Sequence, residues 1–212
     1  MGESPSEREL IPGIRNFMNS CEDQLVLDEI PTPWGRPDII LVNTDGPIDR
    51  NLIPLSRSDL SLASLISSSG PLSRASIARR SGLTEEYLSH IIDRLVSRGA
   101  VSDRGGVVRA SVKPRLFGDI TAIEVKTRDW TSGLRQAKRY RTFADEVFLF
   151  LGRKIRGMDY SIFRRDGIGL GFVGSNPSIA IPSVDTSGEN VEFARRLVEE
   201  NILRALSIGR HS

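Results

Sequence analysis

Glu124-Val125-Lys126 closes the apolar run Ile120-Thr121-Ala122-Ile123, and an earlier segment, Arg36-Pro37-Asp38-Ile39-Ile40-Leu41-Val42, sets one aspartate directly before four apolar residues. Strand side chains alternate between faces, so Ile120, Ala122, Glu124 and Lys126 share one side and Thr121, Ile123, Val125 and Thr127 the other. An acid and an amine thus project together from an apolar strand, where unpartnered charge is costly. With Asp38 alongside, two carboxylates suit a hard, oxygen-ligated divalent cation. A lysine beside them suits orienting a water or offsetting charge that develops on a phosphate. The carboxylates favour its protonated form unless burial opposes them, which makes it an electrostatic element rather than a general base.

Two flanking segments extend the set. Ser6-Glu7-Arg8-Glu9-Leu10-Ile11 reads as a helix start, with Ser6 as cap and Glu7 and Glu9 in the first turn. Gln136-Ala137-Lys138-Arg139-Tyr140 places Gln136 and Tyr140 four apart, on one face of a helix. Together the four segments resemble the PD-(D/E)XK nuclease superfamily, the fold of many restriction endonucleases and Holliday-junction resolvases. Pro37-Asp38 matches the first motif and Glu124-Val125-Lys126 the second. The opening helix resembles that of the resolvase-like members, and Gln136 to Tyr140 resembles the Gln-x-x-x-Tyr element of some branches.

The resemblance implies an α/β fold with a restriction-endonuclease-like mixed central sheet flanked by helices. It implies a magnesium-dependent endonuclease, with manganese as a substitute ion, hydrolysing phosphodiester bonds in DNA. Asp38 and Glu124 would be metal ligands, joined by Glu7 and the backbone carbonyl of Val125, with Lys126 beside the attacking water. Glu9 competes with Glu7 for that place. Gln136 and Tyr140, with Arg135, Lys138 and Arg139 around them, would face nucleic acid; the alternative is a helix that packs its tyrosine inward and keeps its cations solvated. Because fold alone does not fix function, a non-catalytic DNA-binding regulator and a protein-interaction module on the same scaffold stand as alternatives.

In most of that family a hairpin joins the two motifs, whereas 86 positions separate Asp38 from Glu124 here. The expected division is a discontinuous nuclease-like domain, 1–55 with 113–212, and an insertion over 56–112. Within the insertion, Leu60, Leu62, Leu65 and Ile66 suggest one helix and Pro71 to Arg80 a second. Thr84 caps a third, whose apolar stripe is Leu88, Ile91, Ile92, Leu95 and Val96. Val101 to Val108, with Gly105-Gly106 between, reads as a tight hairpin. Three helices and a hairpin resemble a winged helix-turn-helix domain. Its third helix is acidic (Glu85, Glu86, Asp93), which would repel phosphate, while Arg79 and Arg80 suit backbone contacts. The sequence admits DNA or a protein as the partner of this segment.

The elements that position the motifs are a helix after Ser6, strands over 24–30 and 35–43, a helix over 131–144, and an apolar strand over 147–151. Strands over 168–173 and 178–181 and a closing helix over 189–206 follow. A strand-helix-strand unit of this size implies parallel pairing. Pro12 removes a donor inside the first helix. Gly167, Gly169 and Gly171 lack the strand-turn-helix context of a dinucleotide loop and read as a turn and tight strand packing.

Hydrophobic content of 39% and charge of 26% over 212 residues fit a globular protein of about one domain and a small second one. Net charge is only +2, and four of the 29 basic residues are lysines. Arginine suits bidentate phosphate contacts. Cys21 is alone, which excludes a disulfide framework within the chain and leaves a small apolar packing residue. His90 and His211 are too scattered for a histidine metal site. No apolar run reaches membrane-spanning length and the first residues lack a signal-peptide core, so a cytoplasmic location is expected. Expected partners are DNA, a second copy in a homodimer, and a protein bound through the insertion, with no membrane partner.

Overall fold

A computed structural model describes residues 5–18, 23–44, 46, 48, 52–111, 116–174, 176–185 and 192–208. Cys21, His211, the insertion's far boundary at 112–113 and the start of the closing helix at 189 lie outside these residues. The chain divides into two compact units, residues 1–48 with 117–198, and residues 49–116 with 199–212.

The first unit is α/β, built on a mixed six-stranded sheet. Its strands are β1 (Gln24–Asp28), β2 (Ile39–Asn43), β6 (Ile120–Lys126), β7 (Glu146–Leu151), β8 (Gly169–Phe172) and β9 (Ser178–Ile181), lying side by side in that order. The pairs β1–β2, β2–β6 and β8–β9 are antiparallel, while β6–β7 and β7–β8 are parallel. Parallel neighbours need a crossover. Helix α5 (Trp130–Tyr140) supplies it between β6 and β7. Although the insertion enters after β2 and leaves before β6, these strands pair directly, and the return is pinned by Asn43 N–H to Asp119 O (2.9 Å) and Gly118 N–H to Asn43 O (2.8 Å).

Helix α1 (Glu7–Met18) buries Leu10 and Ile14 against Ile39, Leu41, Ile123, Val125, Phe148 and Phe150, one face of the sheet. It runs through Pro12, whose exposed ring leaves one carbonyl without its helical donor. Gly169 and Gly171 lie where Phe148 and Phe150 of β7 cross them, and any Cβ would enter those rings. Gly167 closes the short helix α6 (Ser161–Asp166), for which the sequence pattern offers no warning, with a φ of 65°. The two strands expected near the first motif are shorter than the apolar pattern suggests. β1 stops at Asp28 because Glu29 takes a φ of 49°, and β2 starts only at Ile39 because a Thr32–Gly35 turn and Pro37 precede it.

The second unit holds α2 (Arg57–Ser69), α3 (Arg74–Ser81) and α4 (Glu85–Ser97) with a three-stranded sheet of β3 (Leu72–Ser73), β5 (Val107–Ala110) and β4 (Val101–Arg104), in that order. Each helix starts at a side-chain cap, Ser56, Ser73 and Thr84 in turn, which satisfies amides the first turn leaves open. The second helix starts later than its pattern suggests because Leu72-Ser73 pairs with the hairpin. Gly105 and Gly106 turn that hairpin with φ of 61° and 78°, a turn that suits glycine. The last helix, α7 (Glu192–Ile208), contributes to both units, and its Glu200 belongs to the second. No helix among the described residues is long and apolar enough to cross a membrane.

Candidate functional site

The site forms where the β2–β6 ladder ends. Ile39 pairs with Ile123, and one step further along that register Asp38 falls opposite Glu124, on the face of Ile40 and Ala122. β2 ends there. The Asp38 carboxylate instead accepts the Val125 amide, Oδ2 to N 2.7 Å. Lys126 carbonyl accepts from Gly152 after β7 (2.9 Å), so the amide and carbonyl of Val125 face away from β7, to the side Asp38 occupies.

Glu124, only 1% exposed, is held at both oxygens. Oε1 pairs with the Lys126 ammonium at 2.8 Å and Oε2 accepts the Tyr140 hydroxyl at 2.8 Å. Lys126 also reaches Glu7 Oε2 of α1 at 3.4 Å. The neighbouring Glu9 is turned the other way, accepting the Ser6 amide at 2.6 Å and its hydroxyl at 2.9 Å, and this helix cap holds its carboxyl below the ordinary range. The structure therefore separates the two glutamates: Glu9 caps the helix and Glu7 faces the lysine.

Burial pushes the Asp38 carboxyl up from its ordinary value, against the Val125 amide and Lys126. Burial likewise raises Glu124, and repulsion from Asp38 adds to it, against Lys126 and Tyr140. For Lys126, burial opposes the charge, but the Glu124 contact and the negative charge of Glu7 and Asp38 outweigh it and hold the ammonium. Tyr140 is pushed up by burial and by Glu124, so it stays a neutral donor. The arrangement is two crowded carboxylates and one cation at the strand's end, with Glu124 buried and Asp38 and Lys126 half-buried.

Of the two readings of the helix after the second motif, Tyr140 follows the inward-packing one. Tyr140 is fully buried and serves Glu124, so it offers no surface to a nucleic acid. Lys138 pairs with Asp166 at 2.6 Å, and Arg139 Nε donates to the Trp34 carbonyl at 2.9 Å. Gln136 is half-buried and Arg135 exposed on α5. Arg79 and Arg80 are exposed at the end of α3, in the other unit. Their types suit phosphate, but neighbours decide which cations stay available.

Two further groups support the site. Gly133 lies where α5 crosses β6 and β7; a Cβ there would stand 2.6 Å from Leu149 Cδ1 and 2.9 Å from Lys126 Cγ. The absent side chain lets the helix sit close and the lysine stem pass. The Thr32–Pro37 loop leading to Asp38 is held on α5 by Arg139 and, past the end of that helix, by Trp34 against Phe143, ring centroids 6.0 Å apart. Gly35, at a φ of 133°, leaves room beside it for the Tyr140 ring. A glycine inside an amphipathic helix and a Pro-Thr-Pro-Trp-Gly run were the available signals, and neither announces a supporting role beside the candidate site.

Among the described residues no three His, Cys, Asp or Glu side chains assemble as a metal-holding group. The oxygen donors are two carboxylates and the Val125 carbonyl direction, a small hard set of the kind magnesium takes when water and phosphate complete its sphere. The raised carboxyls fit a cation, whose charge would relieve their repulsion. No family model, no curated protein and no solved structure matches this chain significantly.

Proposed function

We propose that this chain is a magnesium-dependent nuclease of the PD-(D/E)XK type that hydrolyses phosphodiester bonds in DNA. The observation that carries the reading is the register that sets Asp38 opposite Glu124 at a strand end, with Lys126 paired to Glu124 at 2.8 Å. Asp38, Glu124 and the Val125 carbonyl would hold the ion, and Glu7 would balance the lysine. When bound, magnesium supplies Lewis-acid polarisation of the scissile phosphate.

The chain's own residues do the rest of the positioning. The Val125 amide fixes one Asp38 oxygen and the Tyr140 hydroxyl fixes one Glu124 oxygen, so both carboxylates meet their ligand in set orientations. Lys126, kept protonated, donates to the attacking water or to the phosphate and offsets charge in the transition state. It is not the group that takes the water's proton. The second unit, three helices with a β3-β5-β4 sheet, is read as a winged helix aiding substrate binding. Its acidic α4 leaves phosphate contact to Arg79 and Arg80.

The test is cleavage of supercoiled, linear, single-stranded and branched DNA and of RNA, with magnesium or with chelator. Asp38→Asn and Lys126→Ala are expected to lower the rate by about 100-fold or more while leaving the fold intact. Magnesium-dependent cleavage that survives both substitutions would remove these residues from the chemistry.

A further inference from the structure

Helix α5 keeps few of its cations available, yet the end of the sheet that carries the site, where β7 finishes, has a basic segment of its own. Gly152-Arg153-Lys154-Ile155-Arg156-Gly157 follows β7 and places three cations in six residues, all three exposed. Among the described residues none of the three pairs with a carboxylate; Lys154 lies over the Phe172 ring, 5.9 Å from its centroid. The segment is anchored at its base. Gly152 donates to the Lys126 carbonyl at 2.9 Å, and a Cβ on it would meet Leu10 of α1 at 3.2 Å and the Thr127 backbone at 3.4 Å. It closes in a turn, Met158 N–H to Ile155 O at 3.4 Å, with Gly157 at a φ of 78°. The cations therefore project from a short, held loop that begins beside the strand end where Lys126 meets Glu124.

We infer that the Gly152–Gly157 loop is a phosphate-binding rim that grips a nucleic-acid backbone beside the carboxylate–lysine site. The inference rests on the nuclease reading for its choice of ligand, because the same exposed cations suit the phosphates of a lipid surface. Proximity to the site favours nucleic acid. A scissile phosphate at Lys126 carries flanking phosphates past the neighbouring strand end, where Leu151 pairs with Lys126, and a basic loop there meets them. Exposed arginines with no carboxylate partner among the described residues are free to make that contact, whereas Lys138 and Arg139 of α5 are engaged within the protein.

The experiment uses the full chain and two kinds of probe, measured in chelator so that cleavage does not enter. Duplex and single-stranded DNA of fixed length are titrated by fluorescence anisotropy across a salt series, and vesicles of anionic phospholipid are tested by co-sedimentation. The variants are Arg153→Ala/Lys154→Ala/Arg156→Ala and a second, Arg153→Ala/Arg156→Ala, that leaves Lys154 on Phe172. Each lost phosphate contact lowers the salt slope by about 0.9 on duplex and about 0.7 on single strands, which at about 0.1 M salt is roughly five- to tenfold in affinity. Both variants are expected to show this loss on DNA while melting like the parent. DNA affinity and slope equal to the parent in both variants overturn the proposal, as does a parent chain that binds no nucleic acid. Loop-dependent binding to vesicles without loop-dependent DNA binding replaces nucleic acid with a membrane surface. A separate magnesium cleavage assay tells the two readings apart. Loop-dependent DNA binding without cleavage keeps the rim and removes the nuclease, whereas cleavage with loop-independent binding does the reverse.

Discussion

Both units bury matched charge pairs, Asp145 with Arg195 in the first and Glu200 with Arg98 in the second, and the candidate site of the first is balanced differently. In the second unit, Glu200 takes two Arg98 contacts, the closer at 2.8 Å, and the Leu55 amide at 2.8 Å, and both side chains are 4% exposed. Asp59 is likewise matched by Arg94 and by its own helix cap, which together hold its carboxyl below the ordinary range despite burial. In the first unit, Asp38 and Glu124 crowd one lysine and both are raised. The pairs that hold the fold are neutralised within it, whereas the candidate site carries more carboxylates than cations; Glu146, outside that site, is raised too, first by burial. Raised carboxyls gathered around one specific cation are candidates for a functional site.

The largest expected break in this contrast is in the matched pair. Arg98→Met leaves Glu200 buried and uncompensated, which costs about 3–5 kcal/mol, read as a lower denaturant midpoint. A variant as stable as the parent would show that the pair is not structural. A smaller effect is expected at Tyr140. Tyr140→Phe leaves one Glu124 oxygen without its donor, worth about 1–3 kcal/mol. It also removes a contact that lowers the Glu124 pKa, so magnesium binding should fail at a higher pH on acidification. Calorimetric titration with magnesium between about pH 5 and 8 reads that shift, and a pH profile identical to the parent's would deny the tyrosine its positioning role.

The smallest effect is on stability against pH in the absence of metal. Asp38 and Glu124 are raised above their ordinary 3.8 and 4.5, so the folded chain binds these protons more tightly than the unfolded chain. Their contribution is full below those ordinary values and is lost as pH rises through the raised ones. Asp59 is lowered from 3.8, so its contribution is present above that value and is lost as pH falls through the lowered one. Asp38→Asn should therefore melt slightly higher than the parent near neutral pH, with the advantage shrinking toward about pH 4. Thermal scans over that range check it, and a constant difference at every pH would place the crowding elsewhere.

Much of the site was legible because it depends on local geometry. Alternation along Ile120 to Lys126 puts Glu124 and Lys126 on one face whatever surrounds them, and Pro37-Asp38 before an apolar run marks a strand entrance. The hairpin at Gly105-Gly106 and the cap at Thr84 are equally local. The choice between Glu7 and Glu9 was not, since both sit in one helical turn and only the strand beneath selects Glu7.

By itself, then, the sequence determined residue types, alternation and order: an acid, then an acid and a lysine, on strands that a long insertion separates. Tertiary structure alone decided the register that sets Asp38 opposite Glu124, the burial that turns Tyr140 inward, and the contacts that occupy Lys138 and Arg139 while leaving Arg153, Lys154 and Arg156 exposed. The reason is physical. Side-chain direction along a strand is a property of neighbouring residues, whereas charge balance and burial depend on groups brought together from 16 positions away for Tyr140 and Glu124, and 105 for Arg139 and Trp34.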